Sequence, residues 1–124
     1  MATVFTYAGA AITTNRIAGA GTEPKYVAWG TGVGTAGVSD TTLFTESSEE
    51  TRTTGTSSRV TTSQTNDTYQ VVGTLTCATS GKTITNCGLF DASTVGNLYM
   101  KADFTGVALA VGEAIQFTLA VSYS

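Results

Sequence analysis

Three glutamates near the middle of the sequence have the clearest potential for acid–base chemistry. Glu46, Glu49 and Glu50 precede Arg52 and Arg59, and paired carboxylates can act as general acid and base when they are held about 5 to 9 Å apart. The residues around them predict no pocket that would hold a substrate. We therefore expect these carboxylates to be solvated or salt-bridged, since exposed ion pairs are common and individually weak.

Residue types on which most enzymes and metal sites depend are scarce. The sequence contains no histidine, which is the commonest general base and the commonest transition-metal ligand in proteins. No nucleophile and base can be paired from the residues present. We therefore predict that the chain is not an enzyme and that it binds no cofactor and no metal ion.

A glycine-rich segment at residues 32–37, GVGTAG, matches the G-x-G-x-x-G pattern of dinucleotide-binding proteins. That pattern requires a crossover helix after the loop, but residues 38–52 show no helical apolar stripe. We interpret the segment as a flexible surface loop whose glycines adopt positive φ angles.

The two cysteines, Cys77 and Cys87, lack the second close pair of ligands that structural zinc sites use. A simple hairpin turning at Ser80-Gly81 would place Cys77 opposite Ile84, so a disulfide would need a wider loop. The first twenty residues show no signal-peptide pattern, and we expect a reducing compartment. Two buried free thiols are the favoured interpretation, and a disulfide is the alternative.

Composition sets the character of the surface and the class of partner. Charged residues make up only 12% of the 124 positions, whereas Thr occupies 26 and Gly 14. Thr is β-branched and suits strands, so the composition predicts a β-rich fold with an uncharged surface. The net charge is −3, and no apolar run approaches the roughly 18 residues of a membrane span. We expect neither nucleic acid nor a membrane as partner.

Alternation of apolar and polar residues indicates the strands that must carry these groups, because successive strand side chains point to opposite faces. Residues 115–123 alternate most regularly, with Phe117 and Leu119 on the apolar face. We predict an all-β fold, an antiparallel β-sandwich or jelly-roll-like single domain with a short N-terminal helix or arm. From residue 69 onward its strands form a meander or the sandwich relative of one. The other predicted strands are residues 25–29, 69–77, 84–90 and 98–105.

The same alternation assigns individual side chains to the core or to solvent. In the strand at residues 98–105 it places Met100 inside, and Tyr99 and Lys101 on the solvent face. Trp29 could stack on a sugar or a base, but its apolar neighbours favour a place in the core.

Two regions fall outside this pattern. Residues 1–24 are predicted to be an N-terminal arm, with a short helix around residues 8–18, and residues 25–124 the β-sandwich domain. Residues 51–65 hold one large apolar side chain, Val60. This Thr-rich stretch is an exposed strand, a loop, or an edge completed by another chain.

Two blocks of the sequence resemble small structural proteins of tailed bacteriophages, of the head decoration (cement) type. Residues 26–46, YVAWGTGVGTAGVSDTTLFTE, are similar to a W-G-T-G, Gly-rich, D-T-x-L, T-E segment of that group. Residues 84–92, ITNCGLFDA, residues 96–98 and the last strand resemble its G-L-F-D-A and G-x-L blocks. The resemblance covers a little over half the chain. It implies a β-sandwich or jelly-roll-like module that assembles as copies on a symmetric particle, and it transfers no catalytic residue.

The leading functional hypothesis is a capsid decoration protein that binds the outer head surface and bridges major capsid subunits. Its expected partners are the major capsid protein and sister copies in a dimer or trimer. Its expected location is the virion head, with the host cytoplasm during assembly. The alternative is a tail or collar/fibre component that contacts a host surface glycan through exposed aromatic residues such as Tyr99.

Apolar residues in the N-terminal segment are the first candidates for these contacts. Val4, Phe5 and Ile12 have no clear place in the predicted β core, and unburied apolar residues usually have a partner. The candidate capsid or subunit contacts are Val4, Phe5, Tyr7, Ile12, Arg52 and Arg59.

Overall fold

The alternating segments form strands that all pair antiparallel. The computed structural model describes residues 1–123, and over that range it contains eight strands and one helix. The helix, α1, spans Tyr7–Ile17, close to the predicted residues 8–18. The strands are β1 (Thr3–Phe5), β2 (Tyr26–Gly30), β3 (Thr53–Thr54), β4 (Thr56–Val60), β5 (Thr68–Thr76), β6 (Lys82–Phe90), β7 (Leu98–Leu109) and β8 (Ala114–Ser122).

The strands form two sheets that pack face to face. Sheet A has the order β1-β7-β6-β2-β3, and sheet B has the order β4-β5-β8. The prediction of an all-β antiparallel sandwich is confirmed. Although β5 and β6 are consecutive in sequence, they lie in different sheets, so the arrangement is the sandwich relative of a meander. Within residues 1–123 no helix combines the length and the apolar character needed to cross a membrane.

Side chains from both sheets fill the space between them. Phe117 and Leu119 of β8 are buried, as predicted, with 8% and 5% of their surface exposed. Trp29 of β2 is also buried, and its ring meets the ring of Phe117 edge-on at 6.4 Å between centroids. The predicted core positions in the last strand and in β2 are therefore confirmed.

The assignment of Tyr99 to the solvent face is wrong, because a β-bulge interrupts β7. Leu89 of β6 pairs with Met100 and Phe90 pairs with Leu98, which leaves Tyr99 as an extra residue between the two pairs. Leu98 therefore packs with Phe90 on one face, while Met100 joins the core between the sheets. Tyr99 joins that core as well and is only 2% exposed.

The assignment of Lys101 to the solvent face is also wrong, because a long loop, residues 31–52, covers the outer face of sheet A. Lys101 is 1% exposed. Its Nζ donates to Asp40 Oδ2 at 2.9 Å and to the carbonyl of Thr42 at 2.8 Å, and it lies 3.3 Å from the centroid of the Phe44 ring. Sheet A is thus buried on both faces, so a strict in–out alternation does not apply to it.

The expectation of positive φ angles in the GVGTAG segment is wrong as well. The glycines with positive φ are Gly19, Gly21, Gly96 and Gly112, all outside residues 32–37. Gly34 instead makes room for an aromatic side chain, since a Cβ there would stand 2.7 Å from the Phe44 ring. The segment is coil with no helix after it, so the helix that a dinucleotide site needs is not formed.

The N-terminal segment is part of the folded core. β1 pairs with β7 at the edge of sheet A. Thr6 caps α1, since its Oγ1 accepts from the Gly9 N–H at 2.9 Å. Ile12 is 4% exposed, and the ring of Phe5 packs edge-on against Tyr99 at 5.2 Å. The expectation that Phe5 and Ile12 have no place in the core is wrong, because the short strand and the helix bury them.

Candidate interaction surfaces

The predicted carboxylate cluster is used inside the chain. Glu50 is 9% exposed, and its carboxylate accepts from Trp29 Nε1 at 3.2 Å, Ser47 Oγ at 2.8 Å, the Ala78 N–H at 3.1 Å and Lys82 Nζ at 2.6 Å. Burial alone would raise the pKa of Glu50, but these hydrogen bonds outweigh it and lower the pKa to about 2. The group is therefore ionised at neutral pH and joins the covering loop to β2 and β6 of sheet A and to the connection between β5 and β6.

The other two glutamates form salt bridges at the rim of the same loop. Arg52 Nε and Nη2 donate to the two carboxylate oxygens of Glu46 at 2.8 and 3.0 Å, and the guanidinium lies 3.6 Å from the Phe90 ring centroid. Lys82 Nζ also donates to Glu49 at 2.8 Å. The salt-bridged interpretation of the cluster is therefore correct. Its basic partners are Arg52 and Lys82, while Arg59 lies exposed on β4.

The cysteines are free thiols in the interior. Cys77 and Cys87 are 0% and 2% exposed and are not bonded to each other. The Cys77 Sγ donates to the carbonyl of Ser80 at 3.0 Å. Burial raises the pKa of Cys87 to about 12, which disfavours the nucleophilic thiolate. Among the residues that the structure describes, no group of acidic residues and cysteines could hold a metal ion.

A tyrosine cluster closes one end of the sandwich beneath α1. The ring of Tyr99 packs edge-on against Phe5 and against Tyr69, with centroids 5.2 and 5.8 Å apart. Its hydroxyl shares a short hydrogen bond with the Tyr123 hydroxyl, and Thr13 Oγ1 lies 3.2 Å from that same Tyr123 hydroxyl. Burial raises the pKa of Tyr99. With 2% of its surface exposed, Tyr99 is not the surface aromatic residue that the sequence predicted.

The six candidate contact residues do not assemble into one surface. Val4 lies on β1, at one edge of sheet A, and Tyr7 follows it at the start of α1 with 70% of its surface exposed. Arg52 immediately precedes β3, at the opposite edge of sheet A, and Arg59 lies on β4, an edge strand of sheet B. Ile12 is buried. Of the six, only Tyr7 and Arg59 are classed as exposed side chains.

An apolar groove, which the sequence analysis did not predict, lies on the β1 side of the sandwich, and we call it the β8 groove. Strand β8 forms its wall, and the inner faces of β7 and β1 contribute its floor. Its volume is about 500 Å³. Among residues 1–123, no charged side chain lines it. Its main lining residues are Met100, Ala102, Phe104, Ile115, Phe117 and Leu119.

The β8 groove could not have been found by pattern because it depends on how many strands each sheet acquires. Phe104 and Ile115 were placed on apolar faces by alternation, and both are only partly buried. That incomplete burial is the one feature that marks the groove.

No protein family, no curated protein and no solved structure matches this chain.

Proposed function

We propose that this chain is a bacteriophage capsid decoration, or cement, protein. It binds the outer surface of the head and stabilises the shell by bridging neighbouring major capsid subunits, as one of many copies. The observation that carries the proposal is the β8 groove, an uncharged apolar surface open beside the edge strand β8. A groove of this kind suits a permanent protein contact, because apolar burial drives association without desolvating charge.

The two sequence blocks that resemble phage structural proteins meet in space, which supports their being one unit. β2 lies in the first block and β6 in the second, and the two strands pair with Trp29 opposite Cys87. Asn86 of the second block binds the backbone of Phe44, in the first block, through two hydrogen bonds. The resemblance therefore covers the centre of sheet A, its covering loop and strand β8, which forms the wall of the β8 groove.

We further propose that the chain has no catalytic activity. The carboxylates that were the best candidates for acid–base chemistry are engaged by Trp29, Lys82 and Arg52. The alternative of a tail or collar protein that contacts a glycan named Tyr99 as one example of an exposed aromatic residue. The Tyr99 ring is buried, which removes that example and weakens the alternative.

The proposal is tested by mixing the purified chain with heads assembled without it. We expect saturable binding to heads, at hundreds of copies per particle, measured by co-sedimentation and quantitative mass spectrometry. We also expect decorated heads to release DNA at a higher temperature than bare heads. Binding should persist in 1 M salt, where the Debye length falls to about 3 Å, because the contact is apolar. Absence of binding to heads, or binding of only a few copies at the tail, would contradict the proposal.

A further inference from the structure

From Ala114 to Val121, strand β8 leaves one side of its backbone without a strand partner among the described residues. Among residues 1–123 it pairs only with β5. Just beyond the ends of this ladder the Cys77 N–H donates to the Glu113 carbonyl at 2.8 Å, and the Tyr123 N–H donates to the Asp67 carbonyl at 2.9 Å. Bonded residues alternate in an antiparallel ladder, so odd-numbered residues of β8 face β5. The backbone groups of Gln116, Thr118 and Ala120 therefore point outward, over the β8 groove.

This edge carries none of the features by which proteins usually protect an edge strand. β8 reads AIQFTLAVS, with no proline and no charged residue. Its register with β5 runs without a bulge over nine residue pairs. Natural edge strands are commonly blunted by lysine, proline, bulges or short length, so an unprotected strand of nine residues is suited to pairing with another strand.

The floor of the β8 groove limits what can pair there. Sheet A has five strands and sheet B has three. β5 lies against β2 and β3, and β7 and β1 continue sheet A past β8 as the floor of the groove. A second copy brought edge-to-edge at β8 would carry its own β7 and β1 into the same space. The position beside β8 therefore has room for a single extended strand and not for a second sandwich.

The chemistry of the groove defines that strand. Its wall offers alternating N–H and C=O groups, and its floor offers Met100, Ala102 and Phe104 with no charged side chain. A matching strand is uncharged and carries apolar side chains at every second position, as in β-augmentation. We propose that an extended segment of the major capsid protein occupies the β8 groove and becomes the fourth strand of sheet B. This inference rests on the proposed function.

The test compares three variants of the full chain in the head-binding experiment. Thr118→Pro removes an outward N–H while leaving the bonds between β5 and β8, because proline is tolerated where the N–H faces away from the sheet. Ala102→Met fills the floor of the groove. Thr118→Ala, which keeps the N–H, is the matched control. We expect the first two to weaken head binding by about tenfold or more and the control to bind within about twofold of wild type.

Thermal melting shows whether each variant is folded, and if Thr118→Pro is not, Ala102→Met decides the result. Wild-type binding that the folded variants leave unchanged would overturn the inference while the proposed function stands. Failure of the wild-type chain to bind heads would remove the proposed function instead. Analytical ultracentrifugation of the chain alone should show no dimer that depends on the β8 edge. A wild-type dimer that Thr118→Pro converts to monomer would show that the occupant is a second copy.

Discussion

Asn86 holds the backbone of Phe44 with both ends of its amide group. Its Oδ1 accepts from the Phe44 N–H at 3.0 Å, and its Nδ2 donates to the Phe44 carbonyl at 3.0 Å. Asn86 is fully buried on β6. One side chain therefore stands in for a strand partner and fixes the covering loop against sheet A.

Replacing this amide should loosen the loop. Asn86→Ala leaves the Phe44 N–H without its partner, while the Phe44 carbonyl keeps its bond from the Gly32 N–H at 2.9 Å. An unsatisfied buried group costs about 1–3 kcal/mol, so we expect the free energy of unfolding to fall by roughly that amount in a denaturant titration. Asn15→Ala, on the exposed face of α1, is the control and should change stability little. An unchanged midpoint for Asn86→Ala would show that the loop is held by other contacts.

The N-terminal helix offers a matched pair of isoleucines. Ile12 is 4% exposed and Ile17 is 81% exposed. Ile12→Ala should cost about 2–4 kcal/mol of stability because it empties a core position, whereas Ile17→Ala should cost almost nothing. Thermal or chemical unfolding followed by circular dichroism measures both. Equal effects of the two substitutions would mean that α1 does not pack on the sandwich in solution.

Phe117 should be the costliest position in β8. Its ring meets Trp29 and Phe104 in the core, and Phe117→Ala should lower the free energy of unfolding by about 3–5 kcal/mol. Thr118 points outward, so Thr118→Ala should hardly change the free energy of unfolding of the isolated chain. Unchanged thermal stability of Phe117→Ala would refute the assignment of the β8 faces.

Acid should destabilise the fold through Glu50. Its pKa in the folded chain is lowered to about 2 from an ordinary value of 4.5, so the stability it contributes is complete above about pH 4.5 and is lost as the pH falls towards 2. We expect the melting temperature to drop between pH 5 and pH 2.5. Glu50→Gln should lower stability at pH 7 and flatten this dependence, and the exposed Glu113→Gln should not.

Part of the acid dependence will remain in Glu50→Gln. Hydrogen bonds from the backbone of Gly37 and from Lys101 lower the pKa of Asp40, and a hydrogen bond from the Ala36 backbone lowers the pKa of Asp103. Identical pH profiles for wild type and Glu50→Gln would contradict the role given to Glu50.

The thiols should be protected by burial. In native protein at pH 8 we expect negligible alkylation of Cys77 and Cys87, because both are buried and the pKa of Cys87 is raised to about 12. In denaturant without reductant, intact-mass measurement should show two added groups. No added groups in denaturant would reveal a disulfide.

The sequence predicted those parts of the fold that depend on local pattern. The faces of β8 and the place of Trp29 followed from alternation, since each lies in an uninterrupted run. The burial of Tyr99 could not be predicted from alternation, because the bulge that turns it inward is defined only by its pairing with strand β6. The burial of Lys101 could not be predicted either, because its partner Asp40 lies on a loop that is distant in sequence.

The candidate contact residues show the same division. Ile12 was chosen as a contact candidate because it lay outside the strand pattern. In the structure it is the buried side chain with which the short helix α1 packs on the sandwich. The β8 groove arises from the unequal number of strands in the two sheets, and no single segment encodes that number.

The covering loop has a consequence for how closely many copies can stand together. Three of the six basic residues form salt bridges with acidic residues of this loop. They are Arg52, Lys82 and Lys101. The chain as a whole has a net charge of only −3. Repulsion between such molecules is weak and is screened beyond about 8 Å in physiological salt. Mutual repulsion would therefore not oppose the close packing of many copies that the proposed function requires.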